Sequence, residues 1–286
     1  MSRVLKLKAV NKRIIWGGKK LAEDYGKGVP GESIAEAWEL TVHPEGVNTV
    51  EGGINAGKPL SDFCGDGTFP IMIKLIDAAD RLSVQVHPAK TEMWYVLDAE
   101  EGAQLVYGLK EKFDRDVFAK AITDGKVETL LNYVDVKKGD VFFIPQGLVH
   151  AIGKGITIAE IQQNSNVTYR IYDYNRLQNG KPRQLHVTES LETIKDFTED
   201  EISAIRYENG KTGADSIANC RYFSVDTVCL DGEMKLSSED SFVSVICLGG
   251  NAKISGRDMK KGDSFFLPSH SSATVKGKAE LLITKP

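Results

Sequence analysis

Lys137–Ala151 has the sequence KKGDVFFIPQGLVHA, and Lys260–Thr274 has the sequence KKGDSFFLPSHSSAT. The two segments align without a gap and share Lys-Lys-Gly-Asp, an aromatic pair, an aliphatic residue and a proline. Gly-Asp favours a tight turn, the apolar run favours a buried strand, and proline ends that strand. This pattern is typical of antiparallel double-sheet barrels, and its repetition predicts the same strand and turn in both halves of the chain.

The two copies differ at one position that bears on function. His150 in the first copy is replaced by Ala273 in the second. We therefore expect a mainly β protein with two jelly-roll domains and a few flanking helices. Residues 1–200 are predicted to form the catalytic domain, with a helical insertion near 110–132, and residues 201–286 a domain without metal ligands.

Other segments depart from the strand pattern. Lys110–Gly125 and Val187–Phe197 have apolar residues at helical spacing and are predicted to be helices beside the sheets. The polar stretch Tyr207–Asn219, which is rich in Gly, Asn and Asp, is the candidate linker between the domains.

The composition narrows the function classes. The chain has 286 residues, 41% of them hydrophobic, and a net charge of -4. Its apolar runs are too short to cross a bilayer, and its cations are interspersed with acids, so membrane and nucleic acid are not expected partners. The N-terminus lacks a secretory signal pattern, which predicts a cytoplasmic protein. We expect a small-molecule ligand, reduced cysteines, and a monomer or homodimer.

Arg81–Pro88 alternates between apolar and polar residues, as expected for a strand with one face in a barrel interior. The polar face carries Ser83, Gln85 and His87. The other face carries the apolar residues Leu82, Val84 and Val86. Polar groups buried without partners cost about 1 to 3 kcal/mol each, so a cation or ligand is expected to satisfy them.

Two further residues complete a donor set. Glu92 follows closely, with Lys90 on the same face, and His150 follows the repeated turn. Two imidazoles, one carboxylate and the amide of Gln85 suit a borderline divalent ion such as zinc, which keeps net positive charge to stabilise an enediolate. The alternative also stays open that Gln85 and His87 face solvent and that His150 is a hydrogen-bonded turn histidine.

A second polar cluster extends from Glu160 to Arg176. Arg170 and Arg176 can clamp a phosphate or lie beside a reacting carbonyl, because guanidinium donates in a directed, bidentate way. The alternative is ion pairing with Asp173 or Glu160. Trp16, in a Trp-Gly-Gly motif, is a candidate substrate platform, although its residue type favours a core position over that role.

At these residues the chain resembles the type I mannose-6-phosphate isomerase family, in its short bacterial form with two cupin-like domains. Six motifs match in the family's order along most of the chain. They are IWGG (15–18), EAWELTVHPEG (36–46), LSVQVHP (82–88), KTEMWYVL (90–97), FFIPQGLVHAIGKG (142–155) and AEIQQNSNVTYRIYDYNR (159–176).

The resemblance implies roles for particular residues. The family's metal ligands carry over to Gln85, His87, Glu92 and His150, which is the set built above, and its catalytic arginine falls on Arg170.

Further roles follow from the same motifs. Lys90 and Glu160 are implied as catalytic residues, and Ser83, Lys90, Arg176 and Trp16 as substrate-binding residues. Arg176 stands where larger relatives have a lysine. Only one residue separates Pro88 from Lys90, a shorter connection than in many relatives, which predicts a lower pocket rim.

The implied reaction is the interconversion of mannose 6-phosphate and fructose 6-phosphate through a cis-enediol, with one divalent metal ion, zinc, as cofactor. Two other hypotheses compete with it. One is a noncatalytic sugar-phosphate-binding cupin. The other is an iron-dependent cupin oxygenase, which two histidines and one carboxylate permit, although a fourth ligand at Gln85 disfavours it.

Overall fold

The computed structural model describes residues 4–65, 67–210, 213 and 215–286. Within them the chain is mainly β, as expected, with four α-helices and two 3-10 helices. The strands are β1 (Leu5–Lys8), β2 (Val10–Lys12), β3 (Glu36–Leu40), β4 (Val42–His43), β5 (Gly46–Val47), β6 (Thr49–Val50), β7 (Ile71–Ala78), β8 (Val84–Val86), β9 (Glu92–Ala99), β10 (Gln104–Leu109), β11 (Leu131–Asp135), β12 (Val141–Ile144), β13 (His150–Ala151), β14 (Ile156–Gln163), β15 (Tyr169–Tyr172), β16 (Leu177–Gln178), β17 (Lys181–Pro182), β18 (Ser216–Asn219), β19 (Ser224–Ser238), β20 (Val243–Ile254), β21 (Arg257–Lys260), β22 (Ser264–Leu267) and β23 (Ser271–Lys285). The helices are α1 (Lys20–Glu23), α2 (Arg115–Thr123), α3 (Val187–Thr193) and α4 (Glu199–Arg206), and the 3-10 helices span Leu60–Phe63 and Val127–Leu130. No helix in this described part of the chain is long and apolar enough to cross a lipid bilayer.

Two antiparallel sheets face each other in the N-terminal part of the chain. Their strand orders are β11-β10-β13-β8-β15 and β12-β9-β14-β7-β3-β2. Their inner faces meet in an apolar layer that includes Trp94, Leu105 and Ile158. Since side chains alternate along each strand, the outer face of each sheet must be covered by another layer.

Both outer faces are covered. Ile73 and Leu75 of β7 pack against a layer that includes Leu282 of β23. Val84 of β8 packs in a layer with Phe118 of α2. The six-stranded sheet is therefore buried on both sides, and any polar side chain on its inner face must find a partner inside the barrel.

The C-terminal sheet has the order β18-β19-β23-β20-β22-β1-β6, with β21 paired to β20. One face of this sheet packs in an apolar cluster in which Ala273, at the position of His150, is buried. β1 and β6 come from the start of the chain, and β1 pairs with β22. The domain boundary at residue 200 stays a prediction, although strands from both ends of the chain share this sheet and α4 spans that position.

The repeated turn has the same hydrogen bonds in both copies. The Asp140 carboxylate accepts from the Lys137 backbone N–H at 2.9 Å, and Asp263 accepts from that of Lys260 at 3.0 Å. The intervening glycine has a φ of 91° in one copy and 88° in the other. These left-handed values explain why both copies have glycine there, and β12 and β22 follow as equivalent strands.

The predicted helices are present but shorter. α2 begins at Arg115 rather than Lys110, because the Asp114 side chain accepts from two backbone N–H groups of the first turn and caps the helix there. α3 ends at Thr193 rather than Phe197. Part of the predicted linker, Ser216–Asn219, forms β18, whereas its residues 211, 212 and 214 lie outside the described residues.

Candidate metal centre and its cavity

Three strands bring four predicted ligands to one end of the barrel. β8 and β13 are neighbours, and Gln85 lies directly opposite His150. His87 follows β8, and Glu92 is the first residue of β9 in the facing sheet. Residues separated by up to 65 positions in sequence therefore meet between the two sheets.

The alternation predicted along Arg81–Pro88 holds only from Val84 onward. Val84 and Val86 pack outward beneath the helices, as expected. Leu82, predicted on the same face, lies instead in the inner apolar layer. The reason is that β8 begins at Val84, so the two-residue period does not extend back to Leu82.

The four side chains form a tight cluster. His87 Nε2 and His150 Nε2 are 3.1 Å apart, and the Glu92 carboxylate lies 3.4 Å from the first and 3.5 Å from the second. The Gln85 side-chain nitrogen Nε2 is 3.3 Å from His150 Nε2. His87, Glu92 and His150 are almost completely buried, which excludes the alternative that His87 faces solvent.

Hydrogen bonds determine the tautomers of both histidines. His87 Nδ1 contacts the Val167 carbonyl at 3.0 Å, and His150 Nδ1 contacts the Leu148 carbonyl at 2.8 Å. Because a carbonyl only accepts, each Nδ1 carries the proton and each Nε2 presents a lone pair. The two Nε2 lone pairs then face each other beside the negatively charged Glu92 carboxylate. These three groups repel one another unless a cation lies among them.

The distances fit such a cation. Tetrahedral zinc with bonds of about 2.0 to 2.1 Å separates its ligand atoms by about 3.3 Å, close to the separations found here. Neither Glu92 oxygen accepts a well-directed hydrogen bond from the described residues. The nearest cation is Lys90, whose Nζ is 2.8 Å from Glu92 Oε2. The donor set therefore fits a divalent metal ion.

The charges of the cluster also suit metal binding. Burial, followed by the charge of Lys90, lowers the pKa of His87 to about 4. Burial likewise lowers the pKa of His150. Burial alone would raise the pKa of Glu92, but Lys90 and His87 outweigh it and hold that pKa well below its usual value. At neutral pH the histidines are neutral and Glu92 is charged, which is the form that binds metal.

We expect the metal-free protein to lose stability as the pH falls from 6.5 to about 4. The His87 pKa drops from 6.5 to about 4 on folding, so only the unfolded chain takes up a proton in that interval. This group should decrease the free energy of unfolding by about 3 kcal/mol over that interval, and Glu92, whose pKa is also lowered on folding, continues the decrease at lower pH. Urea unfolding of the metal-free protein at several pH values between 6.5 and about 4 measures this decrease in the free energy of unfolding. A His87→Gln variant should show a smaller decrease, and a flat profile for the unsubstituted protein would contradict the assignment.

A cavity of about 390 Å³ lies beside the cluster, although His87, Glu92 and His150 are not among its lining residues. Gln85 and Lys90 line both the cavity and the cluster, and the predicted residues Ser83, Glu160 and Arg170 line the cavity wall. Further charged or ring-bearing lining residues are Lys12, Arg13, Trp16, Glu36, Trp38, Glu45, Lys74, Arg183 and His186.

Glu160 is held by two donors on the inner face of the six-stranded sheet. Lys74 Nζ lies 3.0 Å from one carboxylate oxygen, and Trp94 Nε1 donates to the other at 3.0 Å. Lys74 is itself buried on the next strand, and its pKa is raised because Glu160 and Glu36 outweigh the effect of burial. Glu160 therefore has a fixed orientation toward the cavity.

Arg170 lies on the opposite wall. Its Nε is 3.3 Å from Ser83 Oγ, and its Nη1 donates to the Gln184 carbonyl at 2.8 Å. Neither of the predicted partners Asp173 and Glu160 is among these hydrogen-bond acceptors. The guanidinium is half-buried, and burial together with nearby arginines lowers its pKa.

Arg176, predicted to bind substrate, does not line this cavity. Its Nη2 donates to Asp173 at 2.6 Å and its Nη1 contacts Asp80 at 3.2 Å. Arg176 therefore has the ion pair with Asp173 that the alternative expected, and its role in substrate binding stays a prediction. Arg183, which returns seven residues later, lines the cavity instead.

Trp16 is 3% exposed, as expected for a core residue, and it also lines the cavity, as expected for a substrate platform. Lys74, Arg183 and His186 were not among the predicted site residues. Lys74 had a detectable signal, because it is the one cation in the buried run Ile71–Ile76 and needed an internal partner. Arg183 and His186 follow a hairpin whose path the sequence does not specify.

Comparison with known proteins identifies related sequences. Residues 4–104 match the family model for the type I phosphomannose isomerase catalytic domain, and residues 215–286 match the model for the mannose-6-phosphate isomerase cupin domain.

Individual relatives match over most of the chain. Mannose-6-phosphate isomerase ManA of Bacillus subtilis is 35% identical over 97% of each chain, and the Streptococcus mutans mannose-6-phosphate isomerase is 38% identical over 68% of each. The crystal structure of the Bacillus subtilis mannose 6-phosphate isomerase has a TM-score of 0.87 and 31% identity over 99% of each chain. The expected cupin-type fold is thus confirmed.

Proposed function

Because the chain belongs to the type I mannose-6-phosphate isomerase family, we propose that it interconverts mannose 6-phosphate and fructose 6-phosphate in this cavity. The observation that carries the proposal is the buried group of facing acceptors formed by His87, Glu92 and His150. Gln85 and Lys90, which contact this group, line a cavity whose walls carry cations, as an enediolate and a phosphate both require.

We assign Gln85, His87, Glu92 and His150 as the ligands of one divalent metal ion. Two imidazoles, a carboxylate and an amide oxygen form a borderline donor set, for which zinc is the best match. When bound, such an ion polarises the oxygens at C1 and C2 of the sugar and makes the C2 proton more acidic. Lys90, ion-paired with Glu92, adds a further positive charge beside the same oxygens.

Glu160 is the group that we assign to proton transfer between C2 and C1. Strand β14, which carries it, lies beside β9, which carries Glu92. Glu36, another carboxylate that lines the cavity, is two strands further away on β3. Lys74 and Trp94 leave each Glu160 oxygen with a free lone pair, so the carboxylate can accept and return a proton without moving.

Arg170, Ser83 and Arg183 complete the proposed site. Arg170 stabilises negative charge that develops on the sugar oxygens, and Ser83 orients it. Arg183 replaces Arg176 as the second guanidinium in the cavity and is assigned to the phosphate, which planar guanidinium groups bind in a directed manner. Trp16 contributes an apolar wall on which the sugar ring can lie.

A coupled assay with mannose 6-phosphate tests this function. Purified protein should form fructose 6-phosphate, lose activity with a chelator and regain it when Zn²⁺ is added back. Absence of turnover by metal-loaded protein would refute the isomerase.

The same assay separates the two rival functions. Mannose 6-phosphate binding without turnover would indicate a noncatalytic cupin, and oxygen consumption by iron-loaded protein would indicate an oxygenase. We further propose that the enzyme acts in the cytoplasm on this soluble sugar phosphate. Fractionation of the source cells tests that location, and the choice between monomer and homodimer requires a sedimentation measurement.

A further inference from the structure

Asp173 lies outside the cavity but holds one of its arginines. The carboxylate is 4% exposed and accepts from Arg183 in two places, at Oδ2 from Nε over 2.7 Å and at Oδ1 from Nη2. Arg176 also donates to Oδ1, at 2.6 Å. One carboxylate therefore engages two guanidinium groups, one of them through a bidentate pair.

The contact closes a loop of the chain. After β15 the backbone turns sharply at Tyr174 and Asn175, whose φ angles of 56° and 55° are left-handed. It then forms the small hairpin of β16 and β17 and returns to Asp173 through Arg183. The following residues run back along β15, where the His186 backbone N–H donates to the Arg170 carbonyl at 2.8 Å. Asp173 thus ties the start of this loop to its end.

Asp173 is a negative charge among three arginines. Burial, followed by the positive charges of Arg183 and Arg176, lowers the Arg170 pKa, so the three guanidinium groups are near one another. Asp173 carries the negative charge that offsets them. Arg176 has a second acid, Asp80, at 3.2 Å, whereas Arg183 forms its ion pair with Asp173.

From this geometry we infer that Asp173 is a positioning residue: it holds Arg183 at the cavity wall, so that the guanidinium meets the phosphate of the substrate in a fixed orientation. The inference rests on the proposed function, because it assigns Arg183 to that phosphate. Asp173 itself touches no substrate. Without the carboxylate, Arg183 would be repelled by Arg170 and Arg176, and its long side chain would have to be ordered at each binding event.

The test compares Asp173→Asn with the unsubstituted protein. We expect KM for mannose 6-phosphate to rise about five- to tenfold while kcat changes less than twofold, because the acidic C2 proton and the metal ligands are unaffected. The dissociation constant of inorganic phosphate, measured directly by calorimetry, should rise by the same factor. An unchanged or lower KM, or a loss confined to kcat, overturns the inference.

Asp80→Asn is the matched control. Asp80 belongs to the same network of charges, but it contacts Arg176 and not Arg183. We therefore expect the KM of this variant to stay within twofold of the unsubstituted value. An increase in KM equal to that of Asp173→Asn would show that general charge, and not the positioning of Arg183, matters.

A double-substitution cycle with Arg183→Gln shows whether Asp173 acts through Arg183. If it does, adding Asp173→Asn to Arg183→Gln should change KM less than twofold further, whereas independent, multiplying effects refute the link. If Asp173→Asn does not fold, Asp173→Glu keeps the charge but shifts it by one methylene. KM should then rise about threefold, and an unchanged KM contradicts the inference.

Failure of the proposed function gives a different result from failure of this inference. If the unsubstituted, metal-loaded protein does not turn over mannose 6-phosphate, the isomerase function fails. The calorimetric comparison of phosphate binding still decides the role of Asp173 in that case.

Discussion

His150→Ala should abolish stoichiometric metal binding and lower turnover of mannose 6-phosphate by about 10³-fold or more. His150 Nε2 lies within 3.5 Å of both His87 Nε2 and the Glu92 carboxylate, so its removal takes away the central member of the donor set. A bound divalent ion stabilises developing charge by several kcal/mol, which corresponds to a loss of that size. Elemental analysis and the coupled assay measure the two effects on the same preparation.

Full metal occupancy in His150→Ala would contradict the ligand assignment. His270→Ala is the matched control, because His270 is exposed in the C-terminal sheet region. It should retain both metal and activity. Circular dichroism of each variant distinguishes metal loss from unfolding, which matters because His150 is completely buried.

Arg170→Ala should lower kcat by about 10² to 10³ while leaving the metal content and fold intact. The expected size is that of removing one preorganised donor to developing negative charge. Arg170 contacts Ser83 and lines the cavity, but it is not a member of the metal cluster. Metal analysis should therefore give the same stoichiometry as the unsubstituted protein, and kcat should fall more than KM changes.

Arg206→Ala is the control for this substitution. Arg206 is also half-buried and donates to a backbone carbonyl, that of Ile217, but it lies on α4 away from the cavity. It should turn over substrate at nearly the unsubstituted rate. Nearly normal turnover by metal-replete Arg170→Ala would remove Arg170 from the catalytic groups.

The ligand cluster was largely predictable because its members follow local rules. Alternation along a strand assigns Gln85 and His87 to one face without knowledge of the neighbouring strands. The repeated Gly-Asp turn places His150 after a buried strand, and both copies of that turn have the same hydrogen bonds. The same rule misassigned Leu82, because a period of two applies only where the backbone is already in a strand.

The arginines show where such local rules end. Arg176 and Arg183 are both cations in a polar stretch after β15, and nothing in their spacing distinguishes them. The left-handed turn at Tyr174 and Asn175 sends Arg176 toward Asp80, and the hairpin brings Arg183 back to the cavity.

The amino-acid order was thus sufficient for the double-sheet architecture and for the residue types of the buried cluster, since these depend on periodicity and residue chemistry. Register and loop path had to come from the folded molecule. They place Gln85 opposite His150, Lys74 beside Glu160 and Arg183 at the cavity wall. Contacts of this kind join residues far apart in the chain, and their energies depend on distances that no local pattern encodes.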